Sequence, residues 1–567
     1  MTARRRAFIL DLNKCTGCHA CEMACRIAND VPGVRRWRRV RTFNELHVHG
    51  VEVAHLSLAC NHCAAAPCME ACPARSFYRD DSTGAVLIDQ NKCIGCRYCS
   101  WVCPYDAPQF DEERGIMAKC DFCVERQHSG GEPACVAACP TGALGWGDLN
   151  EDELFGARLR AADSSVKSST DAGRAASATA KAGVNVGTDA PRLPQDVAGT
   201  GGKAAAAPEP TAIAMAGVHA TGFSSGLTKT GDTAAAARVP GMPESDADPS
   251  IRIVPLGASR LAPRQTEPPA IPPWKALSER IVPHITVGGE WILVIFTTLV
   301  VVLVGMYLAS LAGAPAPNPS LFLIAGAGGL LLGASHLGRR ARAWRAAMHA
   351  DASWLSREIV LFCVFLILGS ISLYFEGAPW TFSSAASVVA WLAAAIGVGA
   401  LVSVDRIYHT AVIRGGGAFH SANALGTGIL LAAAWSGAVT ALVTLSSLKA
   451  LLYVLRKRNR HRLGMPVRAW ESALRLGLLA AGTLGVWQAM THGVAGGAAA
   501  SAHSPLVPAF CLLAAAELID RAEYYDELEI STPESLMQDE LASRPEAHGT
   551  GPQAQSKAVG RFAPHGP

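Results

Sequence analysis

The chain has 567 residues, half of them apolar and 17% charged, with 50 Lys and Arg against 47 Asp and Glu for a formal net charge of +3. That length exceeds one compact domain, and so small a net charge excludes a polyanion-binding protein, so no nucleic-acid partner is expected. The informative residue is cysteine: of 18 in the chain, 16 lie between Cys15 and Cys139.

Those 16 fall into four groups of four. Cys15, Cys18, Cys21 and Cys25 form a C-x2-C-x2-C-x3-C run, and Cys93, Cys96, Cys99 and Cys103 repeat it before Pro104. This is the bacterial ferredoxin spacing. Cys60, Cys63, Cys68 and Cys72, and then Cys120, Cys123, Cys135 and Cys139, keep the opening C-x2-C and the closing C-x3-C around longer inserts. Three closely stepped thiolates wrap one corner of an iron-sulfur cube, while the fourth points away and ligates a neighbouring cluster. Four groups therefore make two interlocked pairs, and four [4Fe-4S] clusters use every one of the 16 cysteines.

Two other uses of cysteine fit less well. A disulfide framework needs an oxidising compartment, and Met1 to Arg6 leads into no apolar signal-peptide core. Zinc takes two separated C-x2-C pairs per ion rather than three stepped ligands and a distant fourth.

Residues 1–150 are thus expected to form a duplicated α+β ferredoxin-type domain held together mainly by metal. Phe8-Ile-Leu-Asp-Leu-Asn-Lys-Cys-Thr-Gly-Cys18 returns as Val86-Leu-Ile-Asp-Gln-Asn-Lys-Cys-Ile-Gly-Cys96, so a short apolar strand leads into each repeat's cysteine loop. The basic run Val34-Arg-Arg-Trp-Arg-Arg-Val-Arg-Thr-Phe43 reads either as a solvated edge or as a docking surface for a partner subunit. From 151 to 280 Ala, Gly, Ser, Thr and Pro dominate without a period, the composition of a disordered linker whose span as a flexible coil is on the order of 60 Å.

Residues 281–530 carry recurrent apolar runs near the ~20 residues needed to cross hydrocarbon, and predict an all-α polytopic membrane bundle. Spans are placed near 289–312, 319–336, 358–375, 384–404, 471–492 and 502–520. The clusters at Arg280, Arg339–Arg345, Arg406–Arg414 and Arg456–Arg462 are basic, whereas the loops at 313–318 and 376–383 hold no Lys or Arg. The positive-inside rule puts every basic cluster on the cytoplasmic side of the inner membrane. Region 419–456 must then cross twice through a hairpin at Trp435-Ser-Gly437, giving eight spans with seven as the alternative. Both termini and the cluster domain come out cytoplasmic, and the polar tail 531–567 reads as disordered.

A chain of clusters beside a lipid-embedded bundle calls for an electron carrier that dissolves in lipid, a quinone drawn from the membrane pool, and ionisable groups at the depth of its ring. His336, ending the second span, and Glu358, opening the third, flank one loop and are the expected quinone-site pair. The alternative is that Glu358 caps a helix and pairs with Arg339 or Arg357 while His336 snorkels to the interface. Asp405, Tyr408 and His409 form a second set on the same face. Cys363 and Cys511 lie in apolar runs and read as small hydrophobes. Two rivals from other classes are a membrane-bound iron-sulfur sensor or structural protein, and a transporter; an expected lack of buried charge in mid-span argues against the transporter.

Over its first 147 residues the sequence resembles the four-cluster electron-transfer subunit of dimethyl sulfoxide reductase-type molybdenum enzymes, through Cys60-Asn-His-Cys63, Ala118-Lys-Cys-Asp-Phe-Cys123 and Cys139-Pro-Thr-Gly-Ala143. The helical part resembles that family's membrane-anchor subunit through Ser335-His-Leu-Gly338 and Ser353-Trp-Leu-Ser-Arg-Glu358. In the family these are two polypeptides; here they are fused. The resemblance implies that Cys15, Cys18 and Cys21 share a cluster with Cys139, and Cys120, Cys123 and Cys135 with Cys25. It likewise implies that Cys60, Cys63 and Cys68 join Cys103, and Cys93, Cys96 and Cys99 join Cys72. It further implies a non-catalytic subunit that relays electrons between the quinone pool and a separate molybdopterin catalytic subunit, of a sulfoxide- or oxyanion-reducing or a sulfite-oxidising type. Nothing in the chain itself matches a molybdopterin site.

Overall fold

The computed structural model describes residues 5–33, 35–45, 51–148, 239, 242–243, 247–254, 285–376, 383–409, 413–414, 420–462, 467–493 and 506–543. In the N-terminal part, strands β1 (Arg6–Asp11), β2 (Arg39–Phe43), β3 (Ala54–Leu58), β4 (Phe77–Arg79), β5 (Val86–Ile88), β6 (Gln109–Asp111), β7 (Ile116–Ala118) and β8 (Leu144–Asp148) alternate with short helices. These helices are α1 (Ala20–Ala28), α2 (Pro67–Ala71), α3 (Tyr98–Trp101), α4 (Val124–His128) and α5 (Ala134–Ala137). β2–β3, β4–β5 and β6–β7 are antiparallel hairpins, and β1 pairs antiparallel with β8, joining the two ends of the domain. Elements this short bury little on their own, so the core is built from thiols packed among Phe8, Leu10, Leu56 and Phe122. In each repeat the apolar strand, β1 or β5, runs straight into a cysteine loop, as the sequence repeat implies.

Three sequence expectations change. The range read as one linker, 151–280, contains β9 (Ile251–Val254), which pairs parallel with β1 from Phe8↔Ile251 to Asp11↔Val254. Arg5 ion-pairs with Asp248 at 2.7 Å, and the Ser250 hydroxyl donates to the His62 carbonyl at 3.0 Å. The reason is the open edge of β1, whose unpaired backbone groups Ile-Arg-Ile-Val can satisfy while burying Ile251 and Ile253. Apart from 239, 242–243 and 247–254, that range lies outside the described residues. The tail read as disordered, 531–567, contains a helix, Pro533–Ser543, which packs on β2 and buries Met537 and Leu541. Residues 544–567 lie outside the described residues.

The basic run is largely tied into its own domain. Its arginines pair with the domain's own acids: Arg35 with Asp111, Arg36 with Glu22, Arg39 with Asp106, and Arg41 with Asp106 and Glu534. Arg38 is buried outright.

The helical part comprises α6 (Val287–Leu311), α7 (Pro319–Ser335), α8 (Trp354–Glu376), α9 (Ser383–Ile407), α10 (Ala424–Trp435), α11 (Val439–Arg462), α12 (Ala469–Gly493) and α13 (Leu506–Glu527). By length and composition four of the described helices can cross a membrane: α6, α8, α9 and α11. A fifth is added if α7 counts with the 3-10 turn Arg340–Ala347, from which it bends by 113°. Eight crossings are not established on that measure. The short member is α10, whose 12 residues rise only about 18 Å. The chain before it is irregular but buried, at Ser421 and Ala422, and its polar groups are met by protein. Asp520 accepts from the Ser421 hydroxyl at 2.9 Å, and Arg521 donates to the Ala422 carbonyl at 3.3 Å. Irregular backbone at that depth survives only where protein encloses it. The chain reverses after α10 at Ser436–Gly437, where Gly437 has φ of 67°.

Buried charge, expected to be absent, is plentiful. Lys449 meets Glu517 at 2.6 Å, Arg475 meets Glu517 at 3.3 Å and Asp520 at 2.9 Å, and Arg456 meets Asp520 at 2.8 Å. Arg475 and Asp520 are wholly inaccessible. The argument from uncharged spans against a transporter therefore falls. What keeps these groups inside is that cations of α11 and α12 interleave with carboxylates of α13, so that none is left alone. Arg475→Leu should leave two buried carboxylates undercompensated and lower stability by about 3 kcal/mol. Arg468→Ala, which breaks an exposed pair with Glu471, should cost less than about 1 kcal/mol. Thermal unfolding of the detergent-purified chain measures both.

Candidate functional site

All 18 cysteines are free of disulfides. The thiols of Cys15, Cys18, Cys21 and Cys139 line one small cavity, and those of Cys60, Cys63, Cys68 and Cys103 line another. Cys72 lies beside Cys93, Cys96 and Cys99, while Cys25, Cys120, Cys123 and Cys135 gather in a fourth set. Among the described residues no group of Cys, His, Asp and Glu closes tightly around one point. A cubane needs its four thiolates spread wider. Backbone amides point at the sulfurs: Ser76 at Cys72, Met117 at Cys93 and Phe122 at Cys120, each at 3.4 Å, and Leu144 at Cys139 at 3.3 Å. Such bonds help set the potential of an iron-sulfur centre. Burial pushes the Cys25 and Cys103 thiols up to about 12, so metal must displace protons to bind there.

The sets follow one another in a line. Cys99 of the Cys72 set neighbours Cys68, Cys60 neighbours Cys120, and Cys135 neighbours Cys21. One end of the line is at the surface, where Cys18 is exposed. The other end is pressed against the helices.

At its centre that contact is a seam of glycines. Gly95 and Gly115, both at positive φ, meet Gly338 in the loop after α7; a Cβ on Gly338 would collide with the Gly115 carbonyl, and one on Gly95 would lie 3.0 Å from the Gly338 Cα. The Arg339 amide donates to the Ile94 carbonyl at 3.1 Å. Arg342 donates to the carbonyls of Gln90 and Cys93 at 2.8 and 3.1 Å, the Ser353 hydroxyl to that of Ala71 at 2.8 Å, and Tyr98 to that of Ile407 at 3.0 Å. The basic loop read as a topology marker is thus also the dock for the cysteine domain.

Behind the seam is a cavity of about 240 Å³, mostly apolar, walled on one side by Cys96, Tyr98 and Trp101 and on the other by the ends of α6 to α9. His336 and Glu358 both line it. The His336 Nδ1–H donates to the Gly333 carbonyl, which leaves Nε2 as the free nitrogen of the ring. Glu358 is buried, and its Oε1 has no hydrogen-bond partner among the described residues. It makes no ion pair with Arg339 or Arg357 among them. Of the second set, Tyr408 lines the cavity and hydrogen-bonds Tyr525. Asp405 is occupied in accepting from the amides of Ala424 and Leu425 at 2.8 and 3.3 Å, and His409 is exposed. Cys363 is a thiol in the cavity wall, and Cys511 is exposed on α13. The sequence reading missed Tyr98, Trp101 and Thr297, which also line the cavity; only the closeness of the two aromatics to Cys96 and Cys99 could have drawn attention to them.

Residues 51–149 match the family described as the 4Fe-4S dicluster domain. A polypeptide of the anaerobic dimethyl sulfoxide reductase of Escherichia coli (strain K12) is 38% identical over 152 residues, 25% of this chain and 74% of that protein. The chain belongs to the dimethyl sulfoxide reductase family of iron-sulfur subunits. A sulfite dehydrogenase subunit of Allochromatium vinosum is 35% identical over 168 residues, 26% of this chain and 70% of that protein. The thiosulfate reductase electron transfer subunit of Salmonella typhi is 38% identical over 147 residues, 25% and 76% respectively. This iron-sulfur subunit therefore differs from these relatives by the helical part that follows the matched quarter, where four to five apolar helices make it membrane-associated.

If the glycine seam fixes the iron-sulfur domain to the helices, Gly338→Val should open it. The expected result is at least tenfold faster hydrogen exchange at the Arg339 amide with no loss of iron; unchanged exchange would show that the seam is not what holds the parts together.

Proposed function

We propose that this chain is the electron-transfer and membrane-anchor subunit of an oxidoreductase complex, relaying electrons between a quinone in the cavity behind Gly338 and a separate molybdopterin-containing catalytic subunit. What carries the reading is one juxtaposition: Cys96, a thiol of the innermost set, shares the wall of an apolar cavity with His336 and Glu358. The four sets of four thiols would hold four [4Fe-4S] clusters, paired as Cys15/Cys18/Cys21/Cys139, Cys25/Cys120/Cys123/Cys135, Cys60/Cys63/Cys68/Cys103 and Cys72/Cys93/Cys96/Cys99. These clusters supply one-electron redox chemistry.

The cavity supplies what a quinone needs. Its apolar walls accept the ring, and proton exchange falls to His336 Nε2 and the unpartnered Oε1 of Glu358. At the other end, the exposed Cys18 set faces the catalytic subunit. The relatives' names support a sulfoxide or a sulfur oxyanion as the terminal substrate class, handled by that subunit. The helices cross the inner membrane, eight of them in this reading, with the cluster domain on the cytoplasmic side where the basic loops lie.

Two measurements test the proposal. Anaerobically purified protein should contain about 16 iron atoms and as much acid-labile sulfide per chain; a value near half that would leave only two clusters and break the line. His336→Ala and Glu358→Gln should each slow quinol-driven reduction of the clusters, followed by electron paramagnetic resonance, by about 10²-fold or more, the scale of a lost proton-transfer group. Their spectra after dithionite reduction should be unchanged. Wild-type rates in both variants would rule out this cavity as the quinone site.

A further inference from the structure

Arg38 is the one arginine of its basic run without an acid. Arg35, Arg36, Arg39 and Arg41 each meet a carboxylate, while Arg38, 1% exposed, has no ion pair among the described residues. Its Nη1 donates to the Ser57 hydroxyl and carbonyl at 3.1 and 3.2 Å, and its guanidinium lies 4.2 Å over the Phe8 ring. Its Nε and Nη2 are buried with no hydrogen-bond partner among the described residues. A guanidinium cannot shed its proton to escape, and a buried cation left uncompensated costs several kcal/mol. What surrounds it is sulfur: the groups that act on its charge are the thiols of Cys135, Cys120, Cys21 and Cys25. Those belong to two different thiol sets, and Ser57, which Arg38 holds, also contacts the Cys21 sulfur at 3.3 Å.

We propose that Arg38 is a buried counter-cation shared by the Cys15/Cys18/Cys21/Cys139 and Cys25/Cys120/Cys123/Cys135 cluster sites, and that it raises their reduction potentials. The proposal rests on the four-cluster reading above, which iron analysis tests separately. A cubane with four thiolates carries about two negative charges oxidised and about three reduced. A fixed positive charge in a medium of low dielectric stabilises the more negative state more, so reduction becomes easier. Lys119 differs in one respect. It too is buried among thiols, those of Cys60, Cys68 and Cys120, but its ammonium donates to the backbone carbonyls of Val86 and Cys120. Arg38 keeps two donor nitrogens with nothing but the cluster sites to answer them. Its consequence is that the two outer clusters, next to the exposed Cys18, are easier to reduce than they would be without it.

The test is a redox titration of the full-length chain, followed by electron paramagnetic resonance, on the wild type and on Arg38→Met, Arg38→Gln and Arg38→Lys. The neutral variants should make one-electron reduction of at least one outer cluster tenfold less favourable, a fall of 59 mV. Arg38→Lys should lie close to the wild type, and the cluster nearest the membrane should not move. Full iron content with unmoved potentials in Arg38→Met or Arg38→Gln overturns the proposal. If both neutral variants lose iron, Arg38→Lys decides: retained iron supports a requirement for charge at this position, and loss there too assigns Arg38 a packing role and overturns the proposal.

Discussion

The molecule depends on how closely a metal-holding domain can be laid against the ends of apolar helices. A Cβ at any of these three positions, Gly95, Gly115 and Gly338, would lift the Cys93–Cys99 loop away, and Gly95 and Gly115, free to take positive φ, remove the obstacle together with Gly338. Backbone at close quarters must still satisfy its polar groups. The loop after α7 and the start of α8 do this by directing Arg342, Ser353 and the Arg339 amide at carbonyls of the cysteine domain. The result is that Cys96, Tyr98 and Trp101 wall one side of a cavity whose other side is made by the helix ends, and the tight approach creates the site.

Burying charge is the second constraint, and the two halves answer it differently. In the bundle, Lys449, Arg456 and Arg475 are matched by Glu517 and Asp520, each cation reaching an acid within about 3 Å. In the cysteine domain Arg38 and Lys119 have no acid, and the negative charge they answer belongs to thiolates that exist only when iron holds them. The first arrangement gives each cation an acid of the chain itself. The second makes the fold of residues 5–148 incomplete without a cofactor, which agrees with how few residues its strands and helices have to stabilise one another.

The cysteine groups were legible because a cluster loop is local: ligands two residues apart must face one centre, whatever the rest of the chain does. The repeat leading from strand to loop, and the hairpin at Trp435–Gly437, were legible for the same reason. His336 and Glu358 could be singled out because one loop separates them. Tyr98 and Trp101 could not, because their place in the cavity is fixed by docking and not by their own neighbours in sequence. Arg38 is indistinguishable in sequence from Arg36 and Arg39; only the bend at residues 37–38, just before β2, decides which side chain turns inward. β9 is four residues of alternation inside a low-complexity stretch, too short a pattern to separate from its surroundings until β1 offers it an edge. Nor can the sequence announce that Ser421 and Ala422 enter the bundle unwound, where Asp520 and Arg521 meet them.

Joining the two parts in one chain bears on the seam itself. Around the glycines the contact is apolar as well as hydrogen-bonded, with Ile94, Tyr98 and Trp101 packed in one cluster with Leu337, Ala346, Ile407 and Tyr408, yet two parts joined only in this way would dilute apart if they were free. A covalent connection makes re-docking an intramolecular event with an effective concentration set by the length of the connection. Here the connection is anchored at both ends: β9 lies in the sheet of the cysteine domain, and Ile285, at the start of the helical part, hydrogen-bonds the Leu528 carbonyl just before the helix that packs on β2. With β9 paired to β1 and Pro533–Ser543 packed on β2, opening the seam locally leaves the cysteine domain tethered beside the helix ends, so that the glycines can close again.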